Sequence, residues 1–102
     1  SVPDAAIETL AIAPDGRIPA AAIIAALRAR GLSGIAAEGG PALAAQLLAA
    51  GLVDELCLTV MPRLGGPDLP AVGGGAAPIT PLAALQLLVD DEGAQYGRWV
   101  LR

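Results

Sequence analysis

The chain of 102 residues contains no histidine, no lysine and no phenylalanine, and only one cysteine. Without histidine, Ser-His-Asp and Cys-His catalysis are excluded within these residues, as are histidine-ligated metals. Cys57 has no partner for an internal disulfide and lies in an apolar run, where the simplest expectation is a small buried hydrophobe. Aromatic side chains are limited to Tyr96 and Trp99, so the core must be aliphatic. The six basic residues are scattered arginines, and the net charge of −4 argues against a nucleic-acid partner, whose phosphates demand clustered positive charge. Leu69 to Val89 carries no charge, but Pro70, Pro78, Pro81 and the Gly73-Gly74-Gly75 run forbid a continuous membrane-spanning helix. No basic, apolar, small-residue leader opens the chain, so a soluble cytoplasmic protein is expected. The length fits one domain or part of one.

Apolar periodicity and turn residues divide the chain. An apolar segment from about Glu8 to Ala13 reads as a strand ending at the turn signal Pro14-Asp15-Gly16. From Pro19 to Arg30, Ile23, Ile24 and Leu27 recur at helical spacing, Arg28 and Arg30 occupy the last turn, and Gly31 ends it. Ser33 to Ala37 reads as a short strand delivering Glu38. A second helix is expected from Pro41 to Ala50, with Leu43 and Leu47 one turn apart and Gly51 suited to a left-handed C′ position. Leu56 to Met61 is almost wholly apolar, as in an interior strand covered on both faces. Arg63 to Pro81, rich in glycine and proline, reads as a surface loop or mobile connector, or else as a flap beside a cofactor that starts at Gly65-Gly66. Leu85 to Asp90 and Gln95 to Leu101 flank Asp91-Glu92-Gly93-Ala94, a hairpin signal. The expected fold class is therefore α/β: a mostly parallel sheet with two right-handed crossover helices and a C-terminal antiparallel hairpin.

The turn at Glu38-Gly39-Gly40-Pro41 bears most directly on function. Glycines without Cβ let a ligand approach the backbone and accept positive φ without strain. Pro41 suits the first helical position, since its missing N–H would be unpaired there. The amides of Ala42, Leu43 and Ala44 then lack intrahelical acceptors at the positive end of the macrodipole. An anion is the natural partner, at roughly 0.3–1 kcal/mol per favourable charge when exposed. The turn lacks the G-x-G-x-x-G and P-loop spacings, and on these residues alone a Gly-Gly-Pro reads first as a plain strand-to-helix connection without a ligand.

Glu38-Gly39-Gly40-Pro41, Leu43, Leu47-Leu48, Ala50-Gly51-Leu52-Val53-Asp54-Glu55-Leu56, Pro62 and Gly65-Gly66 together form a long ordered pattern. It closely resembles the carboxy-terminal reductase domain of bifunctional riboflavin-biosynthesis deaminase/reductases. The resemblance implies a dihydrofolate-reductase-like fold and reduction of a ribosylaminopyrimidine phosphate, ribosyl to ribityl, by hydride from NADPH. It implies that Glu38 contacts substrate, that Gly39, Gly40, Pro41, Ala42, Leu43 and Ala44 belong to the NADP-binding segment with Ala45 beside them, and that the protein forms a homodimer. NADPH rather than NADH follows from the resemblance alone. Family reductases begin with a strand leading to a Ser/Thr-Leu-Asp-Gly segment, which has no counterpart here. Residues 1–102 are thus expected to be the C-terminal portion of one reductase domain, without its N-terminal substrate-binding half, and inactive alone.

No general acid stands out, and the catalytic residues stay unassigned. Asp54 and Glu55 are adjacent on a strand that points them to opposite faces, so they read as a polar cap and not as a catalytic pair. Asp90, Asp91 and Glu92 read as a solvated turn. Two alternatives stay open: a non-catalytic α/β module that associates through its final hairpin, with Tyr96 and Trp99 as anchors, and a reductase of the same fold with another substrate.

Overall fold

The computed structural model describes residues 6–67, 70–73 and 79–101. The chain divides into two compact units, Ser1–Ala37 and Glu38–Arg102.

In the first unit, residues 6–13 lead into a tight turn. The Gly16 amide donates to the Ala13 carbonyl at 2.9 Å, the Ala13 amide donates to the Arg17 carbonyl at 2.7 Å, and Asp15 Oδ1 accepts the Arg17 amide at 3.0 Å. Gly16 supplies the positive φ of 81° that this geometry needs. Helix α1 runs Ala20–Ala29, with Pro19 as its N-cap and not its first helical residue. Arg30 reaches back to Glu8 across 2.8 Å, an exposed ion pair worth about 0.2–1 kcal/mol.

Helix α2, Pro41–Ala49, opens the second unit with Pro41 at its first position, as expected. Both helices end alike. The Gly31 amide donates to Arg28 and the Leu32 amide to Leu27; the Gly51 amide donates to Leu48 and the Leu52 amide to Leu47. Gly31 and Gly51 have φ of 82° and 67°. This is the Schellman closure, in which two orphan carbonyls are satisfied by a residue in the left-handed region. It is written twice in the chain as Leu-x-Ala-x-Gly-Leu.

The sheet comprises β1 (Glu55–Val60), β2 (Ala83–Val89) and β3 (Gln95–Val100), in the order β1-β3-β2. Both pairings are antiparallel, with Leu58 and Leu87 each opposite Gly97, and a bulge between Ala84 and Gln86. The expected hairpin is thus present and its second strand is the middle of the sheet. The mostly parallel sheet is not found among the described residues. The segments 8–13 and 33–37, read as strands, form no strand and join no ladder among the described residues, and Ile7 and Ile12 are exposed. Their apolar pattern favours extended backbone, but a strand exists only where a neighbour takes its amides and carbonyls. Of the expected loop Arg63 to Pro81, the described residues form neither helix nor strand, and 68–69 and 74–78 lie outside the described set.

Two further expectations are corrected by the ladder. Strand β1 is not covered on both faces, since its residues are mostly exposed, and among the described residues it is an edge strand paired only with β3. Cys57 is consequently exposed, opposite Arg98, and not a buried hydrophobe. Trp99 is half-buried and its indole lies along the sheet over Gly97. A Cβ there would stand 2.5 Å from Trp99 Nε1 and 3.4 Å from Leu87 Cδ2. A glycine inside a strand marks such a close approach. Buried apolar residues are few among those described, namely Ala20, Leu47 and Ala94.

The hairpin turn is built on Asp90. Its Oδ1 accepts the Glu92 and Ala94 amides at 2.9 and 3.0 Å, and its Oδ2 accepts the Tyr96 hydroxyl at 2.9 Å. The Tyr96 hydrogen bond, with further help from the turn amides, holds the carboxyl below its ordinary range against a smaller opposing effect of desolvation. The same hydrogen bond and the Asp90 charge push the Tyr96 phenol up. The Asp90 contribution is therefore complete above the unfolded carboxylate range, about pH 4, and is lost as pH falls through the lower folded value. That of Tyr96 is complete below about pH 10 and is lost as pH rises through the higher folded value.

Gly51→Ala is expected to lower the unfolding free energy by about 1–2 kcal/mol, the cost of a Cβ in the left-handed region. Gly34→Ala, at ordinary φ with open space around it, is expected to be neutral or slightly stabilising; urea titration of both variants checks the contrast. Tyr96→Phe should raise the Asp90 carboxyl midpoint toward the ordinary range, as read by NMR titration, and an unmoved midpoint would show that the turn amides alone hold it down.

Candidate anion and cofactor site

The second unit begins with Glu38, Gly39 and Gly40, all exposed, before the first turn of α2. Neither glycine has positive φ, and Gly40 is extended, with φ −72° and ψ −178°. Conformational freedom, one of the two reasons the sequence suggests for a double glycine, is therefore not in use at either position. The two separate on the other. A Cβ at Gly39 would collide with the side chain of Leu43, so its smallness is consumed within the turn: Leu43 folds back over the residue preceding the N-cap. A Cβ at Gly40 would meet nothing within 4 Å. No contact within the described structure requires glycine at 40, and its bare backbone faces open space.

The helix start supplies the donors. The Ala44 amide donates to the Gly40 carbonyl at 3.1 Å, closing the first helical bond. Ala44 is thus not an orphan donor, contrary to the sequence expectation, because the N-cap residue's own carbonyl is the first intrahelical acceptor. Ala42 and Leu43 keep amides without acceptors among the described residues, next to a capless N-terminus with no side-chain cap and no acidic residue in the first turn. The positive end of the helix macrodipole is left uncompensated there. Exposed backbone at Gly40, two donors and no competing carboxylate in the helix fit a phosphate group. Glu38 is exposed just upstream, with no hydrogen bond or ion pair among the described residues.

The glycine-rich loop read from the sequence as a surface connector or a flap also reaches this turn through one described residue. The Gly73 amide donates to the Pro41 carbonyl at 3.1 Å, bringing part of the glycine-rich loop onto the first residue of α2. The loop opens with Gly65 and Gly66 at φ 102° and 110°, values closed to residues with a Cβ. Composition gives the glycines but not the contact, which is nonlocal.

The other acidic groups do not form a second site. Glu55 holds Arg98 with bonds of 3.0 to 3.2 Å across the sheet, and the Asp54 carbonyl accepts the Leu101 amide at 3.0 Å. Glu55 is thus engaged within the sheet, and Asp54 lies just before β1 with its carbonyl bonded to the last described residue. Among the described residues no group of histidine, cysteine, aspartate and glutamate is arranged to hold a metal ion, and no helix is long and apolar enough to cross a membrane.

Two helices and a three-stranded antiparallel sheet make this an α/β chain. Residues 1–96 match the model of the RibD C-terminal domain, and the chain belongs to that family. Among solved structures it is similar to a pyrimidine reductase-like protein from Corynebacterium diphtheriae, with a TM-score of 0.79 and 32% identity. That match covers 90% of this chain and 38% of the other, so the chain spans well under half of that protein's length. No curated protein matches.

Proposed function

We propose that the protein is an NADPH-dependent reductase of a ribosylaminopyrimidine phosphate in riboflavin biosynthesis, in which this chain supplies the turn that holds the cofactor's pyrophosphate. Family membership and the pyrimidine reductase-like relative support the class of reaction. The observation that carries the assignment of the turn is the contrast between the two glycines: Gly39 is accounted for by Leu43, whereas Gly40 is left bare toward open space.

In this reading NADPH, when bound, supplies the hydride that converts the ribosyl to the ribityl group. The chain's own work is binding and orientation. Gly40 gives the phosphate access, the Ala42 and Leu43 amides donate to it, and Gly39 admits the Leu43 side chain that shapes the turn. Pro41 sets the helix start, and Ala44 closes the first helical bond beneath the donors. Glu38 is assigned to the substrate side. A cytoplasmic homodimer belongs to the same proposal. One observation favours association through the hairpin in particular: β2 has no ladder partner on its outer side among the described residues, and its Leu85, Leu87 and Val89 are exposed. Tyr96 and Trp99 are less suited as anchors than the sequence suggests, since Asp90 holds one and the other lies over Gly97.

The test is NADPH binding to a full-length version of the protein, followed by fluorescence. Gly40→Asp places a carboxylate beside the phosphate and should weaken binding by about tenfold or more, since like-charge juxtaposition costs several kcal/mol, with little effect on the urea midpoint. Gly39→Ala should instead lower the midpoint by displacing Leu43. Absence of binding at millimolar NADPH, or binding indifferent to Gly40→Asp, would remove the proposal.

A further inference from the structure

The geometry points to a positioning role for Gly73, a residue in neither helix nor strand. Its amide donates to the Pro41 carbonyl at 3.1 Å. That carbonyl belongs to the first residue of α2 and has a second lone pair to offer beyond its helical partner. A Cβ at position 73 would lie 3.0 Å from Cγ of Pro70 and 3.5 Å from Cβ of Pro41. A methyl there would be in ordinary van der Waals contact with the Pro41 ring but tight against Pro70, which would have to give by a few tenths of an ångström. Pro41 lacks an N–H and has a fixed φ, so its carbonyl is the hydrogen-bonding group it offers to a neighbour, and Gly73 engages it.

We propose that Gly73 sets the seat of Pro41 and, through it, the aim of the Ala42 and Leu43 amides at the cofactor phosphate. This rests on the reductase reading above. Gly73 itself touches no ligand in the proposal and acts only through Pro41. A misaimed pair of donors weakens phosphate binding even when the helix is intact, because the strength of a hydrogen bond falls steeply with angle.

The experiment is NADPH titration of the purified protein with a urea midpoint measured alongside. In Gly73→Ala the added methyl presses on Pro70, and the dissociation constant should rise about threefold to tenfold, the range that one neutral hydrogen bond covers. Pro70→Ala introduced into the same chain removes the opposing ring atom and should restore affinity to within about twofold. Should Gly73→Ala fail to fold, the comparison moves to the Pro70→Ala background. There Gly73→Pro, which lacks the donor, should bind about threefold to tenfold more weakly than Gly73→Ala. A lowered urea midpoint with an unchanged dissociation constant overturns the positioning role, as does weakened binding that Pro70→Ala does not restore. A wild-type protein that does not bind NADPH overturns the reductase reading and this inference with it, whereas binding that ignores position 73 overturns this inference alone.

Discussion

The carbonyl and ring of Pro41 are the point on which the second unit's functional architecture depends. The ring fixes φ at the first position of α2 and removes an amide that would otherwise be left without an intrahelical acceptor. The carbonyl then serves two masters, the helix and the Gly73 amide, so the helix start and the glycine-rich loop share one residue. Upstream, the same helix start requires Gly39 to be bare because Leu43 folds back over it. The turn is thus held from the loop side by a hydrogen bond and from the helix side by a leucine, and the exposed backbone between them is Gly40.

Elements governed by local chemistry were legible in the sequence, and those governed by distant partners were not. Both helices and their ends follow from proline at the start and glycine in the left-handed region at the end, each acting within a few residues. The hairpin is equally local, with Asp90 folding the turn through its own side chain. Strand direction is different. The apolar run 56–61 looks the same whether its neighbour is parallel or antiparallel, and its partner β3 lies far along the chain. The same limit explains Cys57, whose apolar flanks predict burial that a one-sided ladder does not provide. Segments 8–13 and 33–37 carry strand-like composition without ladder bonds among the described residues.

For the candidate site, the motif was readable but the division of labour within it was not. Residue types mark Glu38 to Ala44 as a turn and helix start, and the family match over residues 1–96 bears out the resemblance on which that segment was singled out. That Gly39 and Gly40 have different reasons to be glycine emerges only when a Cβ is placed on each. That Ala44 is already spent follows from the N-cap carbonyl, a detail of cap geometry. Gly73 gave no signal beyond its composition, since its partner lies more than thirty positions away.

Gly65 and Gly66 have a chemical consequence of their own. With φ of 102° and 110°, both lie on the side of conformational space that belongs to amino acids of the opposite hand. The entrance to the loop is, in backbone terms, a short mirror-image passage. A D-alanine would sit there with a φ of the sign it prefers and would narrow the freedom of the unfolded chain, whereas its natural enantiomer would be forced against the carbonyl of the preceding residue.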